Sequence, residues 1–407
     1  MTERRHPGAP EYGEGTRAVH PPPLPPLDSE PMVPPVIHSS TFAFDTAQQY
    51  SDVLGGRAPG FSYTRVDNPT AATFAHAVAA LEGAALGDET AAEAFGSGMA
   101  AITAVLLSFT GAGVHVVAPA ACYGGSFSLL RHVLARFGVE STFVVGNDPA
   151  DFHAACRTNT RVVWGETIAN PTLAVADLPA LAEVAHEAGA LCVVDSTFAS
   201  PVVCRPLEHG VDLVAHSATK YLGGHSDATG GVVVGRHDLV AQVRATRVET
   251  GGILAPDEAY LLHRGLATLP LRVARQCASA QAFAEALIRH PRVASIAYPG
   301  LSDHPDNALA KALFDPGRYG ACVTVTPVGG RDAGMALCDG LRLARVAASL
   351  GGPHTLVSHA ASTTHRQLDE SELADAGIDP AAVRFSIGLE DPADLIADAV
   401  QSLDALP

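Results

Sequence analysis

The chain has 407 residues, 47% apolar and 17% charged, enough to bury a sizeable core and too apolar for an intrinsically disordered protein. Its formal net charge of −17, from 43 acidic against 26 basic residues, excludes nonspecific binding to nucleic acid or acidic membranes, which needs clustered Lys and Arg. Seven cysteines without a C-x-x-C pair make neither a disulfide framework nor a zinc module. Residues 1–35 lack the apolar core of a secretory signal, and no run approaches the ~20 apolar residues of a spanning helix. The expectation is a metal-free, cytoplasmic chain of enzyme size.

Residues 1–35 are proline-rich (PPPLPPLDSEPMVPP) and are expected to form neither helix nor interior strand, but an arm. From residue 66 to 235, helical patterns at 70–82, 98–108, 125–137 and 178–189 alternate with short β-branched runs. The strand candidates are 114–118, 142–146, 161–165, 191–195, 211–216 and 231–235. Continuous apolar strands alternating with helices predict an α/β fold with a mostly parallel sheet covered on both faces. Beyond residue 266, longer helices and weaker strands at 321–328 and 383–389 predict a smaller α+β domain. The expected division is an arm at 1–65, an α/β domain at 66–265 and an α+β domain at 266–407.

Of the 26 basic residues, 24 are Arg and two are Lys, Lys220 and Lys311. Lys311 sits in DNALAKALF and reads as the solvated face of a helix near 306–314. Lys220, in VDLVAHSATKYLGGHSD, follows an apolar strand, where a surface charge is a poorer explanation. In a doubly wound sheet, ligands bind beyond the carboxyl ends of the strands. Four loops fall there: Gly96-Ser97-Gly98-Met99, Tyr123-Gly124-Gly125, Asp195, and Ser217 to Lys220.

Asp195 closes LCVVD, a run too apolar to host a charge without a partner. Taken alone, its carboxylate could simply cap the next segment. Together with Lys220 it matches the needs of pyridoxal phosphate, which attaches to a lysine and pairs its pyridine nitrogen with a carboxylate so that the ring acts as an electron sink. The phosphate needs N–H groups at a helix N-terminus, available at Gly98 and Met99, and hydroxyls, available at Ser217 and Thr219 on one side of an extended segment. Tyr123 is placed to stack on the ring.

Other readings fit less well. Ser217-Ala218-Thr219-Lys220 matches S-x-x-K, but no lysine is followed by Thr to give the companion K-T-G. Gly96-x-Gly98 lacks the third glycine of a dinucleotide loop, which falls at Ala101. His186-Glu187 lacks the second histidine of H-E-x-x-H, so no metal is expected. Most histidines and cysteines read as surface or core residues, with Cys122 set apart by preceding Tyr123. A non-enzymatic binding module would make the constellation a coincidence and the purified protein colourless.

These residues resemble, in detail, the pyridoxal-phosphate enzymes of cysteine and methionine metabolism: cystathionine γ-synthase, cystathionine γ-lyase, methionine γ-lyase and O-acylhomoserine sulfhydrylase. The matching segments include PPVIHSSTFAF, YTRVDNPT, GSGMAAI, CYGG, NPTL, VVDSTFASP, HSATKYLGGHSD, RGLATL, SLGG, THRQL and RFSIGLED, spread over nearly the whole chain. The resemblance implies a type I pyridoxal-phosphate transferase fold acting at the γ-carbon of a sulfur amino acid or an activated homoserine. It makes Lys220 the cofactor lysine and proton carrier, Asp195 the partner of the pyridine nitrogen, and Tyr123 a stacking and leaving-group residue. Gly98, Met99, Ser217 and Thr219 would hold the phosphate. Tyr63 and Arg65 would reach the phosphate of a neighbouring subunit, implying a homodimer and a dimer of dimers. Arg384 would bind the substrate α-carboxylate, with Ser349 and Asn170 nearby.

The departures from the family pattern concern the substrate. Ser196 stands where Asn often follows the pyridine-binding Asp. Ala348 stands where cystathionine γ-lyases carry Glu, and Ser126 to Ser128 where they tend to have Arg. Gly125 replaces the cysteine of methionine γ-lyases, and Arg247-Val248 their Lys-Asp pair. Pro353-His354 and residues 362–365 are similar to sulfhydrylases. The best reading is γ-elimination from methionine or homocysteine, with γ-replacement as the alternative. Substrate choice is expected to lie around Ala348, Gly125, Ser128 and Arg247.

Overall fold

Apolar strands of alternating side-chain direction build the centre of the molecule. A computed structural model describes residues 31–86, 89–363, 365–366 and 370–406, together with Thr16, Val19 and Ser29. Met1–Pro35 forms one unit and Val36–Pro407 another. Thr16 and Val19 are helical, upstream of the proline-rich run at 21–35, so the helix exclusion drawn for the whole of 1–35 was too broad. Ser29 and residues 31–35 belong to neither a helix nor a strand, and the other residues of 1–35 lie outside the described residues.

The larger sheet has seven strands: β1 (Thr90–Phe95), β2 (His115–Pro119), β3 (Glu140–Val144), β4 (Thr160–Glu166), β5 (Leu191–Asp195), β6 (Leu213–His216) and β7 (Gly231–Arg236). Their order is β1-β7-β6-β5-β4-β2-β3. The four pairings from β6 to β3 are parallel, and β7 pairs antiparallel with both β6 and β1. Successive side chains point to opposite faces. Val163, Val194 and Val214 join a core with Phe74 and Val78 of the helix Pro69–Glu82 and Leu181 of Leu178–Glu187. Val162, Val193 and Leu213 join the opposite core, with Ile102 and Val105 of Gly98–Phe109 and Val243 of His237–Thr250.

The smaller sheet holds β8 (Val293–Ala297), β9 (Cys322–Pro327), β10 (Arg345–Val346), β11 (Leu356–His359) and β12 (Val383–Ser386), in the order β10-β11-β12-β9-β8. Phe283 of the long helix Leu269–Leu287 packs on Phe385 of β12, ring centroids 5.0 Å apart.

Three expectations need correction. The helix read over 125–137 is three pieces: a short helix Gly124–Ser128, a π turn Leu129–Val133 and a 3-10 turn ending at Gly138 in the left-handed region. Leu129, Leu130 and Leu134 of these pieces still join one core. The strand read over 383–389 stops at Ser386, because Gly388 N–H turns to the Thr355 hydroxyl instead of a strand partner. The segment 217–220, read as extended, is a turn: Lys220 N–H donates to Ser217 C=O at 3.1 Å.

Candidate active site

The carboxyl ends of β4, β5 and β6 open into a cavity of about 330 Å³. Ser97, Gly98, Met99, Tyr123, Asp195, Ser217, Thr219 and Lys220 line it from the larger sheet's side, so the four loops do converge. Ala348, Ser349 and Arg384 close it from the smaller sheet's side, and Asn170 from the loop after β4.

One end is a cup. Ser97 caps the helix Gly98–Phe109, its hydroxyl accepting from Ala100 N–H at 3.1 Å. A Cβ on Gly98 would lie 2.7 Å from Cβ of Ser217, so only glycine lets the helix start sit against that residue. Ser217 N–H donates to the Thr197 hydroxyl at 2.8 Å, and the Thr219 hydroxyl accepts from Gly230 N–H at 3.0 Å. Both residues reach the cup from a turn rather than from an extended strand.

The cavity floor carries two carboxyls. Asp195 ends β5 and accepts from Thr197 N–H at 2.9 Å. Burial pushes its carboxyl up, and the Thr197 hydrogen bonds pull against that. Glu166, in register with Asp195 on β4, accepts from Tyr123 N–H at 2.5 Å. Burial, reinforced by the Asp195 charge, pushes Glu166 up to about 8. Sequence reasoning missed Glu166; its signal was an acid closing the apolar run VVWGE, as Asp195 closes LCVVD. Ser196 is fully buried and accepts a hydrogen bond from the Thr167 hydroxyl.

Two cations face these carboxyls. Lys220 Nζ donates to Ser349 Oγ at 2.7 Å. Burial, with the Arg384 charge adding to it, brings the lysine down to about 8, so that it releases its proton far more readily than a free lysine. Ser349 holds φ at 90°, a left-handed conformation that costs a non-glycine residue about 1–3 kcal/mol. Arg384 donates to Asn170 Oδ1 at 2.8 Å and to Ser349 C=O at 3.0 Å, and stands 5.5 Å over the Phe198 ring. Its Nε is buried and makes no hydrogen bond among the described residues. A guanidinium has five N–H donors, so this buried fork retains capacity for an anion. His365 is buried close by; burial first and the Arg384 charge second bring it down to about 4.

Several expected residues lie elsewhere. Tyr63 and Arg65 do not line this cavity; Tyr63 is exposed, and Arg65 donates to Val248 C=O at 2.7 Å. Arg247, expected where the substrate γ-substituent projects, is buried beside a separate cavity of about 250 Å³. There it pairs with Glu93 and donates to the Arg65 and Val66 carbonyls. Gly125 and Ser128 also fall outside the lining, although a Cβ on Gly125 would sit 2.6 Å from the Tyr123 ring. Cys122 is buried, and burial pushes its thiol well up, which makes it a packing group.

A glycine-floored cup at a helix N-terminus, a carboxylate at a strand end and a half-buried lysine whose proton affinity is lowered fit pyridoxal phosphate, and define a pyridoxal-phosphate enzyme. The description "Cys/Met metabolism PLP-dependent enzyme" belongs to a family model matching residues 15–404, and the chain belongs to that family. It is 41% identical over 397 residues to an L-methionine gamma-lyase of Fusobacterium nucleatum, covering 97% of this chain and 98% of that one. It is 40% identical over 392 residues to a cystathionine gamma-synthase of Mycobacterium bovis, covering 96% and 97%. A crystal structure of an O-acetylhomoserine (thiol)-lyase from Campylobacter jejuni, carrying a pyridoxyl-lysine phosphate, superposes with a TM-score of 0.88 at 29% identity over 92% of this chain and 95% of that one. The fold is accordingly the type I architecture expected, and the cofactor is pyridoxal phosphate.

Proposed function

We propose that the protein catalyses γ-elimination from methionine or homocysteine. Bound pyridoxal phosphate supplies the electron sink that stabilises negative charge on the amino-acid substrate. Asp195 holds the proton of the ring nitrogen, the pairing that offsets its burial. Gly98, Met99, Ser217 and Thr219 hold the phosphate. Lys220 Nζ, its proton affinity lowered by burial, would take and return protons along the substrate's Cα and Cβ, and Ser349 Oγ orients it. Tyr123, in the cavity lining, would help hold the ring and assist departure of the γ-substituent. Arg384, positioned by Asn170, grips the α-carboxylate as a fork.

The observation that carries the choice of substrate is Ala348 in the cavity wall. Cystathionine brings a distal ammonium and carboxylate, and leaving one buried charge unpaired costs ~2–5 kcal/mol. That is a penalty of roughly thirtyfold to several thousandfold. An alanine wall suits a thioether or thiol instead. The test is kcat/KM for methionine, homocysteine, cystathionine and O-acylhomoserine, each with and without sulfide, on the native protein and on Ala348→Glu. Preference for methionine or homocysteine, moved toward cystathionine by the glutamate, is expected; a native preference for cystathionine with no gain in the variant overturns the assignment. The alternative, γ-replacement, is supported by the relatives named as synthase and thiol-lyase. It predicts turnover of the acyl-homoserine only when sulfide or a thiol is present.

The working unit in this reading is a homodimer, and a dimer of such dimers, in the cytoplasm. An arm at 1–65, a cofactor domain at 66–265 and a C-terminal domain at 266–407 make up each subunit. Tyr63 and Arg65, outside their own cavity, serve the neighbour's phosphate. Mixing inactive Lys220→Ala with inactive Arg65→Ala chains should restore partial activity, since a hybrid has one intact site.

A further inference from the structure

The lysine's own turn leaves an accounting problem that one distant side chain solves. Within it, Gly223 N–H donates to Ala218 C=O at 2.8 Å and Gly224 N–H to Lys220 C=O at 2.7 Å. His225 Nδ1 donates to Gly223 C=O at 2.7 Å. The carbonyls of Tyr221 and Leu222 remain, in two buried residues of that turn. Arg272 takes both, Nη1 to Tyr221 at 2.9 Å and Nη2 to Leu222 at 3.5 Å. The same guanidinium reaches Gly265 C=O at 2.8 Å and the Thr268 hydroxyl at 3.1 Å, at the junction of the helices Pro256–Leu266 and Leu269–Leu287.

Arg272 is only 6% exposed, and no carboxylate among the described residues pairs with it. Burying a cation without a counter-charge is costly, and three carbonyls and the Thr268 hydroxyl compensate for it. Burial accordingly brings it down to about 10. Gly224 has φ of 68°, and a Cβ there would lie 1.8 Å from Nη1. The guanidinium thus fills the space beside the turn, and the glycine is required both by conformation and by room. A lysine in its place offers three donors on a point charge and lacks the flat fork that spans four acceptors.

We propose that Arg272 is a positioning residue for Lys220: its guanidinium clamps the turn that carries the lysine and fixes Nζ relative to the cup. This rests on the reading of Lys220 as the cofactor lysine. Pyridoxal phosphate affinity, measured by absorbance titration of cofactor-stripped protein, tests it in four chains: native, Arg272→Lys, Lys220→Ala and the double variant. A clamp acting through Lys220 weakens affinity roughly tenfold in Arg272→Lys, and by less than about twofold once Lys220 is already alanine. Equal losses in both backgrounds mean general damage to the cup and overturn the proposal, as does no loss in either. Gly224→Ala, which displaces the guanidinium while keeping it, is run in the same two backgrounds and decides the matter should Arg272→Lys fail to fold. Borohydride reduction with peptide mapping separates the two readings: cofactor on Lys311 sinks the lysine assignment itself, whereas cofactor on Lys220 without coupling sinks only the clamp.

Discussion

Two cavities of similar size hold charge in opposite ways. In the one beside the helix His237–Thr250, Arg247 pairs with Glu93 and caps two carbonyls, and Arg244 stands 3.7 Å from Asp67. Its charges are matched side by side. In the other, Asp195 and Glu166 lie on the floor, Lys220 and Arg384 on the wall, and an open volume separates the signs. Charges that satisfy each other are scaffold; charges held apart across a gap await something that completes them. The shifted groups agree with that: Lys220 is brought down and Glu166 up, each in the direction burial without a paired counter-ion dictates.

The sharpest way to break this comparison is at Lys220. Lys220→Ala is expected to abolish the visible band at roughly 420 nm and to lower turnover by ~10²–10⁴-fold, while Lys311→Ala changes neither. An active, yellow Lys220→Ala protein contradicts the whole assignment. Arg384→Lys comes next. It keeps the charge and loses the fork, so kcat/KM should drop by roughly thirtyfold or more, chiefly through KM, with the visible band intact. Loss of the band instead would place Arg384 among the cofactor's supports.

In the matched cavity the expected effect is on stability. Glu93→Gln strands Arg247, and breaking a buried pair costs ~3–5 kcal/mol in denaturant unfolding. The folded fraction should bind cofactor as the native chain does. An unchanged unfolding free energy would show that burial, which pushes the Glu93 carboxyl up even with two arginines beside it, leaves the pair without net worth. The smallest effect concerns pH. Attachment of pyridoxal phosphate requires the neutral amine, and a lysine lowered from 10.5 to about 8 is charged below that value and neutral above it. The capture rate of stripped protein should therefore climb with pH to about 8 and then level off. A rate still climbing toward 10.5 would mean that the lysine is not desolvated.

The same contrast separates what the sequence made legible from what it hid. Asp195, Gly98, Met99 and Lys220 were readable because each sits where an apolar strand ends or a helix begins, a local signal. Glu166 and Arg272 were not, since their meaning depends on strand register and on hydrogen bonds across 43 and 50 residues of chain. Arg247 was misplaced for a related reason: nearness to a motif in sequence says nothing about which side of the sheet a helix covers. β1 escaped notice because TAAEAF is alanine-rich and weakly β-forming, and it becomes a strand by pairing with β7 over all six residues.

The hydrogen bonds from Lys220 to Ser349 and from Arg384 to Asn170 each join a residue of the larger sheet's region to one from the smaller sheet's side. The cup and the Asp195 floor, in contrast, are built wholly from the larger sheet's loops. The groups that would cradle the phosphate and ring thus come from one side of the cavity and the Ala348 wall from the other. Substitutions along the Ala348 wall can redirect the enzyme to another side chain while every group that holds pyridoxal phosphate stays in place, which gives one scaffold a cheap route to new substrates.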